Sequence, residues 1–200
     1  MPYSQFSLEN VKGELGVQIE DRLNLFENIS PVAYSDLLTQ LLKQYSPLAI
    51  AIGTEKARSE FIIAPILFEL KRQLSDRISL FSGREFNVEP IRGLIGFCGF
   101  LISQSPQQLL IESPVVAIVE AKNDNIASGI GQCIAEMVAA QLFNERKQNA
   151  ISTIYGVVTT GSNWKFLRLK GSVVEADLNE YYLNDVGKLL GILRHCVTAN

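Results

Sequence analysis

Residues 114–122 read PVVAIVEAK, an apolar run that turns polar only at Glu120 and Lys122. Its β-branched content predicts a hydrophobic strand. Side chains alternate along a strand, so Glu120 and Lys122 project to the same face as Ile118. A carboxylate and an ammonium leaving a hydrophobic strand together are costly unless paired. One reading of the triplet is structural, an ion pair capping the strand. The other is chemical. The Glu120 carboxylate and the Ala121 carbonyl are oxygen ligands suited to Mg²⁺ or Mn²⁺, and Lys122 can orient an attacking water or stabilise charge at phosphorus.

Working outward, Asn123, Asp124, Asn125 and Ser128 offer caps for a helix running to about Phe143, with Ile130, Ile134, Met137 and Val138 on one side. Its small residues, among them Gly129, Gly131 and Ala135, allow close approach to a sheet. Ile151–Thr159 and Trp164–Leu169 predict a hairpin about residues 160–163. A short strand at 173–175 and a last amphipathic helix with Val186, Leu189, Leu190 and Leu193 follow. Upstream, 80–86 and 94–103 read as strands. Thr54 caps a helix over 54–74, in which Pro65 predicts a kink or break. Ser35 caps a helix over 36–45, which Pro47 ends. Residues 1–33 read as irregular structure with short elements. The order predicts an α/β (α+β) domain over 1–200, a central mixed sheet flanked by helices. Within it, 1–50 are an N-terminal extension, 54–170 the core, and 171–200 a closing strand and helix.

Composition excludes several classes. At 200 residues, 47% hydrophobic and with a net charge of −3, the chain is a folded domain, not a disordered one. No run approaches the roughly 18 apolar residues of a membrane span, and the start MPYSQFSLENVKGE lacks the pattern of a secretory signal. Cys98, Cys133 and Cys196 are odd in number and far apart, which predicts free thiols in a reducing, cytoplasmic compartment. The acidic balance argues against a general nucleic-acid coating protein. Yet residues 142–170 carry Arg146, Lys147, Lys165, Arg168 and Lys170 against only Glu145. Arg146, Lys147, Lys165 and Arg168 are candidate phosphate contacts; a solvated hairpin face is the plainer reading. The apolar surplus raises a homodimer as a further candidate.

The single histidine, His195, removes more. The kinase strand V-A-I-K needs a partner H-R-D, and a serine hydrolase needs a G-x-S-x-G elbow; neither is present. His195 is expected to be a cation at a helix C-terminus. Zinc ligands are not clustered. Gly187-Lys188 lacks the flanking residues of a P-loop. Gly129-x-Gly131 has Ile134 in place of the third glycine of a dinucleotide loop.

Glu60 on the helix of residues 54–74, Glu120-x-Lys122 on its strand, and Gln132 on the next helix form an ordered set over about Thr54–Leu169. This set resembles the PD-(D/E)xK nuclease superfamily, the restriction-endonuclease-like fold. It looks most like the variant in uncharacterised cyanobacterial members and in N-terminal nuclease domains of type I restriction subunits. The resemblance implies Mg²⁺- or Mn²⁺-dependent phosphodiester cleavage, with Glu120 binding metal, Lys122 positioning water, and Glu60 and Gln132 supporting them. One position departs: Gly99, in GFCGFLI, stands where the superfamily places an acid. Glu89 or Glu112 could supply the missing carboxylate; otherwise the site is degenerate and the chain a non-catalytic module binding nucleic acid or protein. Each residue also has a plain reading. Glu60 can pair with Lys56 four residues earlier, Glu136 can line the polar side of its helix, and Trp164 is expected in the core.

Overall fold

The computed structural model describes residues 2–149 and 151–199. The apolar run becomes strand β4, Val115–Ala121, buried along its whole length. Around it lies one mixed eight-stranded sheet in the order β1-β7-β6-β5-β4-β3-β2, with β8 pairing β6. The other strands are β1 (Gln18–Leu23), β2 (Ser79–Glu85), β3 (Phe97–Ser103), β5 (Ile154–Thr159), β6 (Asn163–Lys170), β7 (Val173–Asp177) and β8 (Tyr181–Tyr182). β4 runs parallel to β5 and antiparallel to β3. The mixed α/β architecture is as predicted.

Helices cover both faces. Helix α1 (Leu8–Leu15) and helix α5 (Ala127–Arg146) share one core with Ile118, Val158 and Leu167. Helices α2 (Asp36–Ile52), α4 (Ala64–Leu74) and α6 (Val186–Thr198) share the other with Val119, Trp164 and Phe166. Trp164 is fully buried and donates its indole N–H to the Gly161 carbonyl at 2.9 Å. No helix among the described residues is long and apolar enough to cross a membrane. All three cysteines are free and buried.

Several boundaries differ from expectation. Ser35 caps α2 as predicted, but Pro47 lies inside the helix, which continues to Ile52 and stops at Gly53 in the left-handed conformation. Pro47 and Lys43 are both exposed, so the Lys43 carbonyl that lacks its i+4 donor can be met by water, and the break is avoided. Thr54 caps α3 (Glu55–Arg58), which passes into one wide π turn, Ser59–Ile63, and then α4. Pro65 thus neither ends nor breaks the run. The π turn, with Ala64 N–H reaching the Ser59 carbonyl, opens the ladder just where the proline ring would clash. Residues 2–33 hold short elements, as expected: Ser7 and Asn10 form a capping box on α1, and β1 adds a parallel edge strand to β7. The N- and C-terminal portions therefore join the same sheet as the core.

His195 lies in the last turn of α6, the helix end expected of it. Its ring lies edge-on to Phe26 and Tyr155, and burial, aided by Arg168, pushes its pKa down.

Glu69 ties α4 to the start of α2. It accepts from the Ser35 N–H at 3.1 Å and hydroxyl at 2.8 Å, from both arms of Arg72, and from Gln73. Chiefly the Arg72 bonds hold its carboxyl down at about 2, against desolvation. A carboxylate with a depressed folded pKa stabilises above its unfolded value and loses that contribution as pH falls toward the folded one. Glu69→Gln should therefore cost about 1–3 kcal/mol at pH 7, with the deficit shrinking as pH falls from about 4.3 toward 2. Urea denaturation of both proteins across this range measures it. An equal deficit at every pH would show that the charge is not what matters.

Candidate functional site

Strand β4 ends where its last inward side chain, Glu120, is 4% exposed. Lys122, just past the strand, donates its N–H to the Thr159 carbonyl at the end of β5. This keeps it in sheet register and turns its side chain to the same face as Glu120. Its ammonium donates to Glu120 Oε1 at 2.7 Å and to Gln132 Oε1 on α5 at 3.1 Å. Gln132 in turn donates to Glu136 Oε1 at 3.0 Å. A chain Glu120–Lys122–Gln132–Glu136 thus crosses from strand to helix. Gly129 makes room for it: a Cβ there would sit 2.8 Å from Lys122 Cε and 2.7 Å from Val158 Cγ1.

Burial pushes the Glu120 carboxyl up, and Lys122 opposes that shift. Burial would lower Lys122, but chiefly Glu120, with Glu55, outweighs it and its pKa rises. The 2.7 Å contact pairs the two groups, and the Lys122 ammonium is secure. Glu136 differs. It is fully buried, its Oε2 has no hydrogen-bond partner, and burial together with the Glu120 charge holds its pKa well above the carboxylate range. It is a buried acid behind the site, where burial favours the protonated form, not a residue on the solvated side of its helix. The i, i+4 spacing from Gln132 was the available signal.

Above this chain opens a cavity of about 500 Å³. Glu120, Ala121, Lys122 and Gln132 line it on one side, and Glu55, Lys56, Ser59 and Glu60 on the other. The π turn begins at this wall, and Glu60 on it pairs with Lys56 at 2.7 Å. Glu55 is a residue the sequence did not single out; its charge acts on both Glu120 and Lys122.

Gly99 lies beside Glu120 on the neighbouring strand, and its backbone amide favours the Glu120 charge. A Cβ at Gly99 would lie 2.9 Å from the Val119 carbonyl oxygen and 3.3 Å from Glu120 Oε2. Neither substitute acid reaches the cavity. Glu112 accepts from Ser105 at the far end of the sheet. β4, seven residues long, puts roughly 20 Å between its two ends. Glu89 pairs with Arg146 at the C-terminus of α5.

The basic stretch does not form one surface. Arg146 is held by Glu89, Lys147 is exposed just past α5, and Arg168 pairs with Glu175 across β6 and β7 at 2.6 Å. Only Lys165 stands near the site, in an adjoining cavity.

The carboxylates that line the cavity, Glu55, Glu60 and Glu120, are not gathered into one ligand set. Glu120 gives one oxygen to Lys122, Glu60 pairs with Lys56 at the surface, Glu136 is fully buried, and Gly99 offers no side chain. No group of three or more acidic, cysteine or histidine side chains among the described residues could hold a metal ion. What the site offers is an ammonium with one of its three protons uncommitted, backed by a carboxylate and an amide.

No protein-family model matches the chain, and no curated protein matches it.

Two outcomes are expected. Gly99→Asp should destabilise the fold by about 1–3 kcal/mol, because a rigid carbonyl oxygen blocks its Cβ; a thermal melt showing no loss would mean that β3 and β4 separate easily. For Glu136, a folded pKa raised above the unfolded one means that stability is full at low pH and falls as pH rises through the folded value. Glu136→Gln should match the wild type near pH 4 and exceed it by about 1–3 kcal/mol at pH 9. Denaturation curves at both pH values decide it; a wild type that holds its stability at pH 9 would contradict the assignment.

Proposed function

We propose that this chain is a nuclease-fold protein of the PD-(D/E)xK type whose site engages a nucleic-acid phosphate without cutting it. The observation that carries the reading is the clasp of Lys122 on Glu120 and Gln132 inside the cavity shared with Glu60. The residues at the four positions of the motif converge, while the strand position that should bring a second metal-binding acid is a glycine pressed against backbone. An ammonium with a free proton and a fixed position is a phosphate donor. Three buried free thiols are in keeping with a reducing compartment such as the cytoplasm.

Metal-dependent hydrolysis is the second reading. Glu55 and Glu60 favour it, since both line the same cavity as Glu120.

Labelled oligonucleotides, incubated with the protein in EDTA and then in Mg²⁺ or Mn²⁺, separate the two. Binding should persist in EDTA, and no shortened product should appear with either metal. Removing Lys122 alone would strand a buried carboxylate, so Glu120→Gln/Lys122→Ala is the informative variant. It should fold and bind about tenfold more weakly, a loss of about 1.4 kcal/mol. Metal-dependent cleavage abolished in that variant would establish the second reading, and absence of binding in any condition would overturn both.

A further inference from the structure

The cavity over Lys122 does not end there. A second one, of about 480 Å³, adjoins it. Ser59 and Lys122 line the first; their chain neighbours Arg58 and Asn123 line the second. The sheet order fixes how they are arranged. The first spans the ends of β2, β3 and β4, and the second spans the ends of β4, β5 and β6. Together they make a cleft across the end of the sheet with Lys122 near its middle.

The two halves differ in chemistry. On the β3 side stands Phe97, a lining residue of the first cavity and 65% exposed. An aromatic ring left in water at the rim of a polar cavity gains nothing from folding and is available to stack on a ligand. On the β6 side stand Arg58 and Lys165. Arg58 is aimed by bonds from Nη1 to the Thr160 carbonyl at 3.0 Å and the Ser162 hydroxyl at 3.4 Å, and its Nε has no partner. Lys165 donates only to the Leu178 carbonyl, at 3.2 Å, and makes no ion pair among the described residues. Asp124 and Glu180 share that cavity and balance the two cations.

We propose that this cleft binds an unpaired polynucleotide strand, with a base stacked on Phe97 and a phosphate farther along the strand, beyond Lys122, held by Arg58 and Lys165. This rests on the phosphate-engaging reading of Lys122 and extends it to the form of the ligand. Two features choose the single strand over the duplex. Stacking on Phe97 needs a base whose face is free. Duplex binding leans on many phosphate contacts, and here the cations are few, opposed by acids, and carried on a chain of net charge −3. Affinity should come mainly from stacking and depend only weakly on salt.

Fluorescence anisotropy in EDTA tests it with a labelled dT 12-mer, a U 12-mer and a 12-bp duplex. Either single strand should bind at least tenfold tighter than the duplex; a preference between dT and U would assign the sugar. Phe97→Ala should weaken single-strand binding by about 5- to 100-fold, while Phe97→Trp keeps it. Arg58→Gln should weaken it several-fold and reduce the slope of log K against log salt by about 0.7. Phe97 is exposed, so its variants should melt like the wild type. Equal binding of duplex and single strand, or an unchanged affinity in Phe97→Ala, overturns this inference and leaves the Lys122 reading standing. Failure of the wild type to bind any of the three overturns that reading as well.

Discussion

The ion pair of Glu120 and Lys122, closed at 2.7 Å at the end of a wholly buried strand, decides what the rest of the site can do. Both side chains are largely withdrawn from water. Removing one partner of such a pair typically costs about 3–5 kcal/mol, because the other charge is left uncompensated. A ligand must therefore either add to the pair or replace one half of it. A phosphate can add, through the third proton of the ammonium. A divalent cation would have to draw Glu120 away from Lys122, with no second carboxylate at Gly99 to share the work.

The surroundings are built around that pair. Gln132 holds Lys122 from the helix side, Gly129 leaves space for its stem, and the Gly99 amide supports the Glu120 charge. Behind them burial and the Glu120 charge favour the protonated form of Glu136, which disfavours a second buried negative charge. Such acids are common where charges are managed for chemistry. Here it equally serves to keep Lys122 committed to Glu120. The π turn that accommodates Pro65 carries Glu60, and α3 just before it carries Glu55, so this one run of helix supplies the opposite wall of the cavity.

Much of this was legible in the sequence. The β-branched run of 114–122 fixed the central strand, because no other element tolerates that composition between turn signals. Caps at Ser35 and Thr54 marked two helix starts, since side-chain acceptors for orphan amides leave a local signature. Other features left no such mark. β1 is a polar edge strand, exposed at nearly every position, so it shows no alternation. Pro47 reads as a stop, yet the helix passes it on an exposed face where Lys43 and Pro47 both meet solvent. Glu136 reads as a surface acid because sequence patterns assign charge to solvent; its burial follows from how α5 lies on the sheet. Phe97 and Arg58 gain meaning only from the strand order, which places residues distant in sequence at one end of the sheet.

The central claim is that Lys122, and not a metal ion, answers the Glu120 carboxylate. Calorimetric titration of the protein with Mn²⁺ near neutral pH addresses it directly. No saturable binding at millimolar Mn²⁺ is predicted, for the wild type and for Glu120→Gln/Lys122→Ala alike. Saturable binding by the wild type that is lost in the folded double variant would contradict the account and return the site to a metal-dependent one.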